Sequence, residues 1–109
     1  MIINPQPWEV WFAKVKFEDN PQIVKNRPVL VLENNQCYLL SLKITSHTPR
    51  NNYLGEYALS HWQYAGLNKP STVRISKRLK LILSDFVFKT GRLHPVDMMN
   101  IQQIINTLY

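Results

Sequence analysis

Three absences narrow the classes of protein to which this sequence of 109 residues can belong. A single cysteine, Cys37, excludes an internal disulfide and a CxxC metal site, which fits a reducing cytoplasm. No apolar run approaches the ~18 residues of a membrane helix, and residues 1–5 lack the pattern of a secretory signal. With only 3 glycines and 45% hydrophobic residues, the sequence is neither collagen-like nor low-complexity. We therefore expect one cytoplasmic domain, residues 1–109, with Cys37 in its core.

Acidic residues are scarce, since 7 Asp and Glu accompany 13 Lys and Arg, a formal net charge of +6. The imbalance is greatest between Glu56 and Asp85, where no carboxylate occurs. The cations of that stretch are Lys69, Arg74, Lys77, Arg78 and Lys80. Because summed positive potential concentrates phosphate, the pattern favours a polyanionic partner over a solvated surface without a partner.

The common catalytic signatures are also missing. There is no glycine-rich phosphate loop, HExxH or GxSxG. The three histidines, His47, His61 and His94, are not spaced as local metal pairs. We therefore expect chemistry that uses cationic and hydroxyl groups, with no metal and no cofactor.

The hydrophobic pattern is mostly that of strands. It predicts strands at 8–15, 27–32, 37–44, 71–76 and 81–88, with a weaker one at 53–60, and leaves 61–69 undecided. A helix follows from Pro95, since proline suits the first helical position. Its apolar stripe consists of Met98, Ile101, Ile105 and Leu108. The expected fold is mainly β with a C-terminal helix: a small curled sheet or barrel.

Two polar clusters flank a predicted hairpin. Arg27 opens one strand, and Thr45, Ser46 and His47 follow the end of the next. Antiparallel pairing would bring Arg27 beside Thr45. Such a guanidinium, with two hydroxyls and an imidazole, suits a phosphodiester site, with His47 moving protons near neutral pH. The alternative is that Arg27 only caps the strand or pairs with Glu33, and that the other residues form an ordinary loop.

Taken in order, these segments resemble the MazF/PemK (Kid) toxins. The matching pieces are Glu9–Trp11, Arg27–Leu32 (RPVLVL), Ile44–Ser46, Gly66–Leu67 and the last helix. The RPVLVL run is the most specific of them. The resemblance covers most of the chain from Glu9 onward.

The resemblance implies a homodimeric, SH3-like β-barrel of MazF/CcdB type. It implies a metal-independent endoribonuclease that cleaves single-stranded mRNA at short sequences through the RNA's own 2′-hydroxyl, leaving a 2′,3′-cyclic phosphate. It further implies an antitoxin whose C-terminal segment covers the RNA groove, with DNA binding by the complex. The family's arginine carries over to Arg27, and its threonine and serine to Thr45 and Ser46.

This sequence also departs from the family. Lys69 and Ser71 stand where the PemK branch has an arginine and an aspartate, and no histidine lies between Phe17 and Asn26. His47 is a substitute that we choose from its chemistry. The predicted RNA contacts are Lys25, Arg50, Tyr57, Lys69, Ser71, Arg74, Lys77 and Arg78. For Trp11, a place in the core is favoured over stacking on bases.

Two other functions stay open at this point. A toxin of the same fold can act on a protein target, as the gyrase-poisoning relatives do. Lys69 and Ser71 also allow a barrel that binds RNA without cleaving it, because lysine lacks the bidentate fork of arginine and serine lacks the carboxylate of aspartate.

Overall fold

The computed structural model describes residues 3–16, 20, 22–35, 38–48 and 55–108. The prediction of a mainly β fold that ends in a helix is confirmed. The described elements are β1 (Glu9–Lys16), β2 (Val24–Asn34), β3 (Leu39–Thr45), β4 (Glu56–Ala58), β5 (Thr72–Leu81), β6 (Phe86–Arg92) and α1 (Pro95–Leu108), with a short 3₁₀ turn at Leu83–Asp85.

The strands form a single sheet in the order β4-β5-β3-β2-β1-β6, and every neighbouring pair is antiparallel. Register shifts interrupt the β1–β6, β2–β3 and β3–β5 pairs, and such bulges bend strands and increase their twist. Within the described residues, the edge strands β4 and β6 do not pair with each other. The sheet is therefore barrel-like but open.

Each face of the sheet carries a buried cluster, because neighbouring residues of β1 and of β2 belong to different clusters. On β1, Val10 packs with Ile101 of the helix, whereas Trp11 packs on the opposite face against Phe86. The rings of Trp11 and Phe86 meet edge to face, with centroids 5.8 Å apart. The expectation that Trp11 belongs to the core is confirmed by its 6% exposure.

The helix packs on the first of these clusters through the predicted stripe. Ile101 is fully buried, and Met98 and Ile105 pack partly buried against the same cluster. Leu108, the last residue of the stripe, remains 37% exposed. Asp97, in the first turn, is fully buried and anchors the helix to neighbouring segments. Among the described residues, no helix has the length and apolar character needed to span a bilayer.

The prediction of a last strand at 81–88 is wrong. β5 instead runs on to Leu81, and the chain then turns before β6 begins at Phe86. Ile82 and Leu83 are 55% and 50% exposed, so this apolar run is not a buried strand. The Asp85 carboxylate accepts a hydrogen bond from the Ile82 N–H at 3.0 Å, which closes the turn.

The two weaker regions also have definite structures. Of the strand predicted at 53–60, only β4 is observed: residues 53–54 lie outside the described part of the chain, and Gly55, Leu59 and Ser60 are not in a strand. The undecided segment that begins at His61 contains consecutive turns through Gly66 and no helix. Cys37, expected in the core, lies outside the described residues.

Candidate functional site

A cleft of about 210 Å³ lies where the first half of β2, the end of β3 and the segment before β5 meet. Its lining is formed by Phe12, Asn26, Arg27, Pro28, Ile44, Thr45, Ser46, Leu67, Asn68, Lys69 and Ser71. The structure therefore brings together five of the predicted catalytic and RNA-binding residues. They are Arg27, Thr45, Ser46, Lys69 and Ser71.

Strand register explains how Arg27 reaches Thr45. Val29 pairs with Lys43 in the β2–β3 ladder, and the same register continued by two residues sets Arg27 level with Thr45. On its other side, Arg27 pairs with Ala13 of β1. The backbone of Arg27 is thus held in the sheet, while its long side chain is exposed at the cleft.

The cleft is cationic and rich in hydroxyl groups. Arg27 and Lys69 carry its positive charge, and Thr45, Ser46 and Ser71 supply hydroxyls. None of the described residues that line it is acidic. A guanidinium grips two phosphate oxygens at once and an ammonium acts as a point charge, so this lining suits a phosphodiester. In the described part of the chain, no group of three His, Cys, Asp or Glu side chains is arranged to hold a metal ion.

The chain bends immediately after β3. The backbone N–H of His47 donates a 3.4 Å hydrogen bond to Thr45 Oγ1. As an acceptor in this bond, the Thr45 hydroxyl keeps its own proton available for a ligand oxygen. His47 itself is exposed on the bend and is not among the residues that line the cleft.

The segment that carries Lys69 lies directly on β6. Gly66 has a φ of +84°, and a Cβ added there would lie 2.1 Å from the carbonyl oxygen of Thr90. A Cβ on Gly91 would lie 2.6 Å from the carbonyl oxygen of Ala65. Only glycine permits this approach of two backbones. Further on, the Ser71 hydroxyl donates to the Lys69 carbonyl oxygen at 2.9 Å, which fixes the final turn.

Tyr57, predicted to contact RNA, lies elsewhere. Its hydroxyl donates a 2.6 Å hydrogen bond to Asp97 Oδ1 and accepts one from Asn100 Nδ2 at 3.0 Å. Tyr57 lines a second cavity, of about 490 Å³, between β4 and α1. The structure therefore does not bring Tyr57 to the cleft that holds Arg27.

The other predicted RNA contacts divide into three groups. Arg74 lies on β5, where its Nε is 3.2 Å from Oε2 of Glu56, so its charge is already balanced. Lys25, Lys77 and Arg78 do not line the cleft, although Lys25 precedes Arg27 by two residues on β2 and shares its face. Arg50 lies outside the described residues.

The aromatic and amide side chains of the lining were not predicted from the sequence. Phe12 contributes to the lining from β1, Asn26 from β2 and Asn68 from the segment before β5. One available signal was the alternation of β1, which puts Phe12 on the face opposite Trp11. No local sequence pattern predicts that Asn26 or Asn68 lines a site. The cleft exists only because the 67–71 segment packs beside the first half of β2 and the end of β3.

Comparison with solved structures identifies this small β architecture as the fold of the MazF toxins. The Mycobacterium tuberculosis toxin MazF-mt6 superposes with a TM-score of 0.71 at 20% identity, over 91% of this chain and 93% of that one. A mycobacterial endoribonuclease in complex with its cognate antitoxin superposes with a TM-score of 0.72 at 16% identity, over 95% and 93%. A third protein, an Mtb toxin, superposes with a TM-score of 0.64 at 20% identity, over 76% of this chain and 92% of that one. No protein-family model and no curated protein matches the sequence.

Proposed function

We propose that this chain is the toxin of a toxin–antitoxin pair and acts in the cytoplasm as a metal-independent endoribonuclease on single-stranded mRNA. The observation that carries the proposal is that Arg27, Thr45 and Lys69 line one cleft. The structures that share the fold include a toxin and an endoribonuclease bound to its cognate antitoxin, which supports the proposed activity and partner.

In the proposed reaction, the RNA's 2′-oxygen attacks the adjacent phosphorus and the bond to the 5′-oxygen breaks. The products are a 2′,3′-cyclic phosphate and a free 5′-hydroxyl. Negative charge grows on the phosphate oxygens in the transition state, and Arg27 and Lys69 are placed to neutralise it. Thr45 and Ser46 donate hydrogen bonds that orient the phosphate.

The reaction also needs a group that transfers protons. Among the described residues that line the cleft, none carries a carboxylate or an imidazole. We assign this role to His47, which lies on the bend next to Thr45. An imidazole can take the proton of the 2′-hydroxyl and return one to the leaving oxygen. Without such a group, cleavage would depend on charge and positioning alone and would be slower.

The proposal includes two protein partners. A second copy of the chain forms a homodimer, and the antitoxin's C-terminal segment covers the cleft. Since the described lining is cationic and not acidic, an antitoxin segment that carries carboxylates would compete with RNA for the same charges.

The decisive experiment is to incubate the purified protein with single-stranded RNA in EDTA and to identify the new ends. We expect cleavage that continues without divalent metal and leaves a cyclic phosphate. A matched oligonucleotide with 2′-deoxyribose at the cleaved position should remain intact, because it lacks the attacking oxygen. Loss of cleavage in EDTA, or cleavage of the deoxy control, would contradict the mechanism.

Two further outcomes identify the alternatives. RNA that is bound but never cut would indicate a barrel that binds without catalysis. RNA that is neither bound nor cut, together with a growth arrest that depends on gyrase, would indicate a toxin with a protein target.

A further inference from the structure

Two phenylalanines form a stacked pair beside the cleft. Phe12 of β1 and Phe88 of β6 are partners in the strand register, and their rings lie 4.9 Å apart at an angle of 25°. Phe12 is half-buried and lines the cleft. Phe88 is 53% exposed, although large apolar side chains on a strand usually pack against a core.

The position of the pair connects this exposed ring to the proposed phosphate site. Phe12 pairs with Pro28, the residue after Arg27, and Phe12 and Arg27 both line the cleft. Because β6 is an edge strand, Phe88 extends this surface to the border of the sheet. Because Phe12 lines the cleft and also stacks on Phe88, the aromatic pair adjoins the cleft.

The charges around the pair also suit an anionic ligand. Lys14 follows Phe12 by two residues on β1, shares its face and is exposed. The nearest acidic residue on that strand, Glu9, belongs to the opposite face and is bound by Lys89 at 2.8 Å. The tryptophan of the same strand, Trp11, is buried and donates its ring N–H to Glu9 at 3.0 Å, so it is not accessible for stacking.

We propose that Phe88, supported from behind by Phe12, is a stacking platform for a base of the single-stranded RNA whose phosphate occupies the cleft. The inference rests on the proposed function and adds to it a contact that holds the strand by its base. Aromatic rings beside a basic groove bind single strands in this way, since every base has a π-face. A cleft with two cations gains affinity from such a contact, because stacking adds binding energy that the phosphate contacts alone do not supply.

The test measures the affinity of short single-stranded RNA with 2′-O-methyl groups throughout, which binds but cannot be cleaved. We expect Phe88→Ala to weaken binding by about tenfold or more. Phe88→Tyr keeps an aromatic ring and should stay close to the native affinity, whereas Phe88→Leu keeps only apolar volume and should resemble Phe88→Ala. Val87→Ala is the matched control, because Val87 is the neighbouring residue of β6, is apolar and 39% exposed, and carries no aromatic ring.

A series of the same RNA with one abasic position at a time locates the stacked base. Removing that base should weaken native binding about as much as Phe88→Ala does, and the two changes together should cost little more than either alone. Equal affinity of Phe88→Ala and native protein would overturn the platform. The platform would also be overturned if the native protein lost the same affinity at every abasic position. A third contrary result would be that Phe88→Ala changes the oligomeric state on size exclusion while its RNA affinity shows no dependence on the bases.

These results are separable from the proposed nuclease. If Arg27→Ala abolishes cleavage while Phe88→Ala changes neither cleavage nor affinity, the platform is wrong and the nuclease stands. If the native protein binds no single-stranded RNA at all, the proposed function fails first.

Discussion

The Tyr57 hydroxyl donates a 2.6 Å hydrogen bond to a carboxylate oxygen of Asp97, and this contact joins β4 to the first turn of α1. Asp97 is fully buried and also accepts hydrogen bonds from the Ser60 hydroxyl at 2.7 Å and the His61 N–H at 2.9 Å. Burial alone would raise the pKa of Asp97, but these hydrogen bonds outweigh it and lower the pKa below its ordinary value. The carboxylate is therefore a structural anchor for the helix.

The first prediction concerns this anchor. Asp97→Ala should lower the free energy of unfolding by about 3 kcal/mol, because it leaves several buried donors without an acceptor. Urea unfolding measures the loss, and Gln103→Ala, at an exposed position of the same helix, serves as the control. A loss below about 0.5 kcal/mol, the range of an ordinary surface change, would show that Asp97 does not hold the helix.

The second prediction follows from the lowered pKa. Since the folded-state pKa of Asp97 lies below the unfolded value of about 3.9, the carboxylate stabilises the fold above that pH. That stability is lost as the pH falls through the folded-state pKa. Asp97→Asn should therefore flatten the acid limb of unfolding free energy against pH.

Glu9 must be controlled for in that experiment. Burial acts to raise its pKa, but hydrogen bonds from Lys89 and Trp11 lower it overall, so it contributes to the same acid limb. Glu9→Gln should remove a separate part of the pH dependence and leave that of Asp97. An acid limb that is unchanged in Asp97→Asn would refute the assignment.

The third prediction links the backbone to the cleft. Gly66→Ala would force a Cβ against the carbonyl oxygen of Thr90 and impose a positive φ on alanine, so the 67–71 segment must shift. We expect a loss of more than about 1 kcal/mol in stability and weaker RNA binding, because Lys69 moves with the segment. Gln63→Ala, at an exposed position of the same turn, should change neither. Native stability and native affinity in Gly66→Ala would contradict the packing described.

The fourth prediction concerns salt. RNA affinity should fall steeply as salt rises, because phosphate contacts release counterions. Lys69→Ala should reduce the slope of log affinity against log salt by about one phosphate contact. Arg74→Gln should leave the slope unchanged, because Glu56 already engages Arg74. An unchanged slope in Lys69→Ala, or a reduced one in Arg74→Gln, would place the RNA on β5 instead of in the cleft.

The meeting of Arg27 and Thr45 was predictable from sequence, because it requires only a hairpin and its antiparallel register. The start of α1 at Pro95 was equally accessible, since proline and the apolar stripe act locally. Lys69 and Ser71 were placed through the family resemblance, and the fold then brought them to the same cleft.

Other features depend on contacts that no local pattern carries. Ile82 and Leu83 have the apolar character of a strand in the sequence but are exposed in the structure. The boundary becomes clear only from the buried residues Leu81, which ends β5, and Phe86, which begins β6. Tyr57 looks like a surface aromatic until α1 brings Asp97 against it. The stacking of Phe12 on Phe88 requires β1 and β6 to be neighbours, although most of the chain separates them.

The most direct test of the whole account is the rate at which Arg27 variants cleave single-stranded RNA in EDTA. We expect Arg27→Ala to be slower by about 10²-fold or more while its unfolding curve stays native, and Arg27→Lys to fall between the two, because lysine keeps the charge without the fork. A folded Arg27→Ala protein that cleaves as fast as the native one would contradict the account at its centre.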